Sequence, residues 1–308
     1  MADVVRGMPA VSDALRFKLG LEIDWLVDAP FAAIPALHAG VREVIPVHWD
    51  QWKKALHRRE TWHQIGELKD KLRAAQYDLV IDLQGQVRSA IWARMAQAPV
   101  VGYDKRSACE PMAALLYVGV APVSKAAHAV SRYRRLLAHH LGYPFPASAP
   151  DFGLQAKTGE WIAPEPYAVL VPCASRAEKL WPSIYWRDMV QNFADRGWTT
   201  VVMWVDRTEE LLAKDVAAET SAIVPPLLSV ADAAHVLAGA QAVVGLDTGY
   251  THLGAALARP GVGVFCDSDP GEAGLAGSNR LINVGGKRKT PTLAEVERAF
   301  ELVMAQSS

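Results

Sequence analysis

The sequence predicts an α/β protein made of two Rossmann-like, doubly wound domains that face each other across a cleft. Three observations lead there. Short runs rich in Val, Leu and Ile alternate with segments of helical period along almost the whole chain. A stretch dense in Pro, Gly, Ala and Ser, residues 142–166, divides the 308 residues into two parts of ordinary domain size, 1–150 and 151–308. In the second part the apolar runs end in loops of small and polar residues, where open α/β sheets bind ligands.

In the first part, Val4, Val5, Met8, Val11 and Leu15 recur at helical spacing over 4–19, with Pro9 inside the pattern as a kink or restart. Strands are predicted at 23–27 and 44–47, with a short helix at 31–37 between them. Residues 49–73 are polar and aromatic, with Lys53, Lys54, Arg58 and Arg59 around Trp52 and His57, and should be mostly helical. A strand at 79–83, a helix at 87–96 and a brief strand at 99–102 follow. A loop with Lys105, Arg106 and Glu110-Pro111 then leads to a helix at 127–141. That helix carries Val130, Leu137 and Leu141 on one side and Arg132, Arg134 and Arg135 around it.

The second part repeats the alternation. Strands are expected at 167–171, 199–204, 242–246, 262–266 and 281–284, and helices at 183–196, 208–218, 230–238 and 251–258. The last helix, 292–305, begins with Thr292 and Glu295 at capping-box spacing and turns Leu293, Val296, Phe300 and Val303 inward. A return of this helix onto the first domain is left open.

Composition excludes several classes of function. A formal net charge of −1 argues against a nucleic-acid binder. Cys109, Cys173 and Cys266 are far apart and form no C-x-x-C pair, which fits a reducing, cytoplasmic compartment rather than a disulfide or zinc scaffold. No apolar run approaches the roughly 20 residues of a membrane span, and no signal peptide is visible.

The candidate chemistry gathers at strand ends. Asp247, Thr248, Gly249, Thr251 and His252 follow the strand at 242–246 and open a helix, whose N-terminal N–H groups suit an anion. The plain reading is a capped turn. In the loop 173–179, Ser175 offers a hydroxyl and Lys179 a point charge to phosphate, the plain alternative being a solvated loop. Glu209 would bind ribose hydroxyls or only face a helix dipole. Asp82 closes a strand and has a turn-holding reading of equal weight. The pairs Arg58/Arg59 and Lys105/Arg106 suit anionic groups or are merely solvated. No G-x-G-x-x-G or P-loop occurs. The single Asp-Thr-Gly, inside an α/β unit, does not make an aspartic protease, which needs two carboxylates sharing a proton.

Taken in order, these residues resemble the ADP-heptose:lipopolysaccharide heptosyltransferases over nearly the whole chain. The matching pieces are Asp3 with the Pro9-Ala10 helix, Asp82-Leu83-Gln84-Gly85, Arg88-Ser89, Glu110-Pro111, and His128-Ala129-Val130 through Gly142-Tyr143. Further on come Lys179 with Trp181-Pro182 and Trp186, Val244 through Gly249 with His252-Leu253, and Asp269-Pro270. Within the family the likeness is greatest to members that add the first heptose to Kdo.

The resemblance implies a GT-B fold and an inverting transfer of L-glycero-D-manno-heptose from its ADP sugar to the Kdo of lipid A, without metal or cofactor. The second domain would hold ADP-L-glycero-D-manno-heptose: Ser175 and Lys179 on the diphosphate, Glu209 on the ribose, Asp247 by the heptose, and Thr248, Gly249 and His252 around the departing ADP. The first domain would present Kdo-lipid A through Arg58, Arg59 and Arg106, with Asp3 as general base. Such an acceptor implies a transient, peripheral visit to the cytoplasmic face of the inner membrane. Trp49, Trp52 and Trp62 near basic residues suggest where, unless they are amphipathic packing.

The chain departs from the family pattern at three places. A first strand and a Gly before the catalytic Asp are missing, with Ala2 next to Asp3, so a start upstream of Met1 is expected. Cys109 stands where Arg is usual, and Ala174 replaces a hydroxyl residue. A heptosyltransferase acting later on the core and a non-catalytic nucleotide-sugar-binding protein are the alternatives.

Overall fold

The computed structural model describes residues 1–174, 176–277 and 280–305. In chain order the elements are α1 (Ala2–Phe17), β1 (Ile23–Asp28), β2 (Val41–Val47), α2 (Trp49–Trp52), α3 (Arg59–Ala74), β3 (Val80–Ile81), α4 (Val87–Arg94), β4 (Val100–Tyr103), β5 (Gly119–Ala121) and α5 (Ala129–Leu141). After the stretch rich in Pro and Gly come β6 (Tyr167–Val171), α6 (Ser183–Asp195), β7 (Thr199–Val202), α7 (Arg207–Ala217), α8 (Val230–Gly239), β8 (Val243–Leu246), α9 (Gly249–Ala256), β9 (Gly261–Phe265), α10 (Pro270–Ala273), β10 (Leu281–Gly285) and α11 (Leu293–Ala305). None of the described helices is long and apolar enough to cross a membrane.

Two compact units result. The larger comprises Met1–Met8, Ala33–Ala39 and Ala149–Ser308, the smaller Pro9–Ala32 and Gly40–Ser148. Two short pieces of the first 150 residues thus group with the later chain. Specific bonds hold them there: the Arg6 guanidinium donates to Ala273 O at 2.9 Å, and Gln155 N to Leu37 O at 2.9 Å.

The larger unit is built on a parallel five-stranded sheet in the order β10-β9-β8-β6-β7. Strands β6, β8 and β9 are buried along their whole length, as strands of a covered parallel sheet are, and their runs of Val follow from that. One core joins Leu170, Val202, Val244 and Val264 of the sheet to Trp186 and Phe193 of α6 and Phe300 of α11. The Phe193 and Phe300 rings lie 5.2 Å apart. Helix α11 therefore packs on the sheet of its own unit, with Val296, Ala299, Phe300 and Val303 turned inward. The chain runs from β6 outward to β7 and returns to β8 on the other side of β6. That reversal is a topological switch point, and the loops after β6 and β8 open beside each other there.

In the smaller unit the strands form two separate parallel pieces among the described residues, β1-β2 and β3-β4-β5, where the sequence suggested one doubly wound sheet. Strand β3 is only two residues long. Asp82 ends it by accepting hydrogen bonds from Gln84 N and Gly85 N at 2.9 and 3.2 Å, which curls the chain out of the ladder. Strand β5 and the 3-10 stretch Pro111–Leu116 before it have no periodic pattern, and the sequence did not reveal them. Trp52 is 3% exposed and packs with Trp49 and Trp92, so it is core rather than a lipid-facing surface residue, whereas Trp62 is exposed. Helices α1 and α5 are tied by a buried pair in which Arg134 Nε donates to Asp13 Oδ2 at 2.6 Å.

Candidate functional site

Asp247 directly follows β8, and its carboxylate, 9% exposed, is the centre of a polar cluster at the switch point. Oδ2 accepts from Lys179 Nζ and Ser268 Oγ, both at 2.8 Å. Oδ1 accepts from Arg6 Nη2 at 3.2 Å and faces His252 Nε2 at 3.1 Å. Lys179 closes a short 3-10 turn in the loop after β6, His252 lies on α9, and Ser268 follows β9. Lys179, His252 and Ser268 converge on one side chain because the parallel sheet brings its carboxyl ends together, and Arg6 reaches it from α1. Burial works to raise the Asp247 carboxyl, but hydrogen bonds from His252, Lys179 and Ser268, with the His252 charge, outweigh it and hold the group well below the ordinary carboxylate range.

Thr248 is the N-cap residue of α9, with extended backbone, and its side chain makes no capping bond; its hydroxyl lies 3.5 Å from that of Thr251. Gly249 opens the helix, where any Cβ would run into the Met1 side chain. Glu209 is half-buried at the start of α7. The N-cap Asp206 fixes that start by accepting from Thr208 N and Glu209 N, and the Glu209 carboxylate reaches back to Val205 N at 2.9 Å. Burial pushes the Glu209 carboxyl above its ordinary value. It also pushes the buried Tyr250 phenol of α9 up to about 12, with the Glu209 charge adding to the rise.

The structure therefore brings Lys179, Asp247, Thr248, Gly249 and His252 together, with Glu209 close to α9. Ser175 lies outside the described residues. Asp3, on the first turn of α1, is 68% exposed and, among the described residues, joins the cluster through Arg6, whose Nη1 is 3.5 Å from Asp3 Oδ1. Arg58, Arg59 and Arg106 are exposed residues of the smaller unit. Asp82 holds its turn: it accepts from Ser89 Oγ at 2.7 Å and Tyr117 Oη at 2.6 Å besides the two backbone groups.

Sequence reasoning missed two members of the cluster. Ser268 stands two residues after the strand predicted at 262–266, the same kind of strand-end position as Asp247. Arg6 had a weaker signal: it stands three residues after Asp3, on the same helical face, but its partner is 241 residues away in sequence.

A family model described as glycosyltransferase family 9 (heptosyltransferase) matches residues 65–302. Lipopolysaccharide heptosyltransferase 1 of Pseudomonas aeruginosa is 39% identical over 284 residues, which cover 91% of this chain and 80% of that relative. Lipopolysaccharide heptosyltransferase 1 of Escherichia coli K12 is 37% identical over 292 residues, 92% of this chain and 90% of that relative. The solved E. coli heptosyltransferase WaaC with ADP aligns at TM-score 0.89 and 35% identity, covering 98% of this chain and 97% of its own. E. coli heptosyltransferase II aligns at TM-score 0.77 and 19% identity, a likeness of fold alone.

Proposed function

The chain belongs to glycosyltransferase family 9, and from that membership we propose that it transfers L-glycero-D-manno-heptose from ADP-heptose to the Kdo of lipid A, in lipopolysaccharide core biosynthesis. The single observation that carries this reading is the cluster on Asp247 at the carboxyl ends of β6, β8 and β9, where a cationic Lys179 and the start of α9 meet.

A sugar diphosphate departs with growing negative charge on its bridging oxygen. Lys179 and the N–H groups opening α9 offset that charge, and Ser175 adds a hydroxyl. Glu209 accepts from the ribose hydroxyls. Asp247 holds the heptose end, with Thr248, Gly249 and His252 around the diphosphate. Arg58, Arg59 and Arg106 bind the anionic groups of the acceptor. Asp3 takes the proton from the Kdo hydroxyl while that oxygen attacks the anomeric carbon from the face opposite ADP, which inverts the configuration. The lipid of the acceptor brings the protein transiently to the cytoplasmic face of the inner membrane.

The test is to incubate the purified chain with ADP-heptose and Kdo-lipid A and to follow ADP release and the mass of the lipid. One heptose should be added per acceptor, and Asp3→Ala should abolish the addition without weakening ADP binding. Absence of transfer by the unaltered chain would overturn the reading. Unchanged turnover in Asp3→Ala would remove the general-base assignment alone.

A further inference from the structure

Two cationic side chains share the Asp247 carboxylate, and one of them, Arg6, also lies 3.5 Å from the exposed Asp3 carboxylate. Lys179 Nζ and Arg6 Nη2 reach Asp247 at 2.8 and 3.2 Å. The two differ in how they are held. Arg6 is 9% exposed, and its Nη2 also donates to Ala273 O at 2.9 Å and lies 2.8 Å from His252 Nε2. Its Nε is buried with no hydrogen-bond partner among the described residues. A guanidinium does not lose its proton, so Arg6 is a fixed positive charge built into the floor of the cluster. Lys179 is a point charge on a flexible stem, 17% exposed, at the end of a short 3-10 turn.

We propose that Arg6 is a positioning residue of the donor site, which keeps Asp247 neutralised when Lys179 leaves that carboxylate for the diphosphate of the nucleotide sugar. The proposal rests on the reading of Lys179 as a phosphate ligand given above. A diphosphate competes for the Lys179 ammonium. Without Arg6, moving that ammonium would leave a carboxylate that is 9% exposed with no fixed cation, at a desolvation cost that opposes binding. With Arg6 in place, Oδ1 keeps a charged partner while Oδ2 keeps Ser268. The two oxygens divide the work: one holds a permanent cation, and the other exchanges its cation with the ligand. Arg6 thus acts on donor affinity through Lys179 and not by touching the donor.

A double-mutant cycle on ADP binding tests this, with calorimetric Kd values for the full chain, Arg6→Met, Lys179→Met and the double variant, and melting temperatures alongside. Arg6→Met should weaken ADP binding about tenfold or more, the scale of one charge-assisted hydrogen bond. Arg6→Lys should recover most of that loss. In the Lys179→Met background, removing Arg6 should cost ADP affinity nothing further, because there is no ammonium left to release. Multiplicative losses would overturn the proposal, since both a direct Arg6–phosphate contact and a merely structural role produce them. Unchanged ADP affinity in either single variant would overturn it as well. Should Arg6→Met fail to fold, Arg6→Gln keeps a donor without the charge and runs the same cycle. ADP binding by the unaltered chain without heptose transfer would sink the transferase reading and leave this one standing; no ADP binding at all would sink both.

Discussion

Asp247 and Glu209 are both partly buried carboxylates near one sheet edge, and their surroundings push them in opposite directions. Asp247 is held well below the ordinary range by its hydrogen-bonding partners. A carboxyl whose folded value is depressed contributes stability that is fully present above its unfolded value and is lost as the pH falls through the folded one. Asp247→Asn removes that contribution and leaves Lys179 and Arg6 facing a neutral amide. It should therefore cost about 3 kcal/mol above roughly pH 5, with the difference from the unaltered chain shrinking on further acidification. Denaturant titrations at several pH values check both parts, and a pH-independent difference would contradict the assignment. Glu209 is raised by burial, so its ionised form opposes folding above its folded value. Glu209→Gln should then slightly stabilise the free protein at neutral pH while weakening ADP binding. In the unaltered chain ADP affinity should fall as the pH drops through a value above the ordinary 4.5 of a Glu. Calorimetry from neutral to acid pH would show whether that fall disappears in Glu209→Gln.

At the scale of elements, α9 is the piece that the site depends on, and Gly245 is what lets it approach the sheet. A Cβ on Gly245 would meet Thr251 Oγ1 of α9 and stand 2.7 Å from Val171 Cβ of β6. Neither is the end of a long, flexible side chain. Gly245→Ala should thus cost about 1–3 kcal/mol and weaken ADP binding, because the shift moves the helix carrying His252. Wild-type ADP affinity in a stable Gly245→Ala protein would show that the approach is not needed. The elements around this position were legible in sequence because β6, β8 and β9 are short Val-rich runs bounded by polar loops. The helical pattern begins at Thr251, two residues after the observed start of α9 at Gly249, since Gly249 and Tyr250 look like loop and only the cap geometry assigns them to the helix. Asp247 and Lys179 were legible as strand-end residues. Ser268 stands at a strand end as well, but within Cys266-Asp267-Ser268-Asp269 nothing in the sequence sets it apart from its neighbours as the residue that meets Asp247. Arg6 was not legible, because no local pattern on α1 reports a partner 241 residues away. In the smaller unit β3 looked like five residues of strand, and the Asp82 turn that cuts it short depends on Tyr117 and Ser89 arriving from elsewhere.

At the scale of the molecule, each unit has a hydrophobic cluster of its own. The buried cluster of Leu170, Trp186, Phe193 and Phe300 belongs wholly to the larger unit, and that of Ile45, Trp52, Leu68 and Trp92 to the smaller. Chains of this kind need not unfold in one step, and a ligand stabilises the unit that binds it by mass action. The Asp13–Arg134 pair, with side chains 7% and 4% exposed, lies in the smaller unit, whereas the Asp247 cluster lies in the larger. Asp13→Asn strands a buried guanidinium and should destabilise the smaller unit by about 3–5 kcal/mol. Saturating ADP, at about a hundred times its Kd, should stabilise the larger unit by about 2.7 kcal/mol. In scanning calorimetry of Asp13→Asn, the substitution should lower one transition and ADP should raise the other, with ADP affinity itself close to that of the unaltered chain. A single transition that ADP shifts back to its original temperature would mean that the units fold as one.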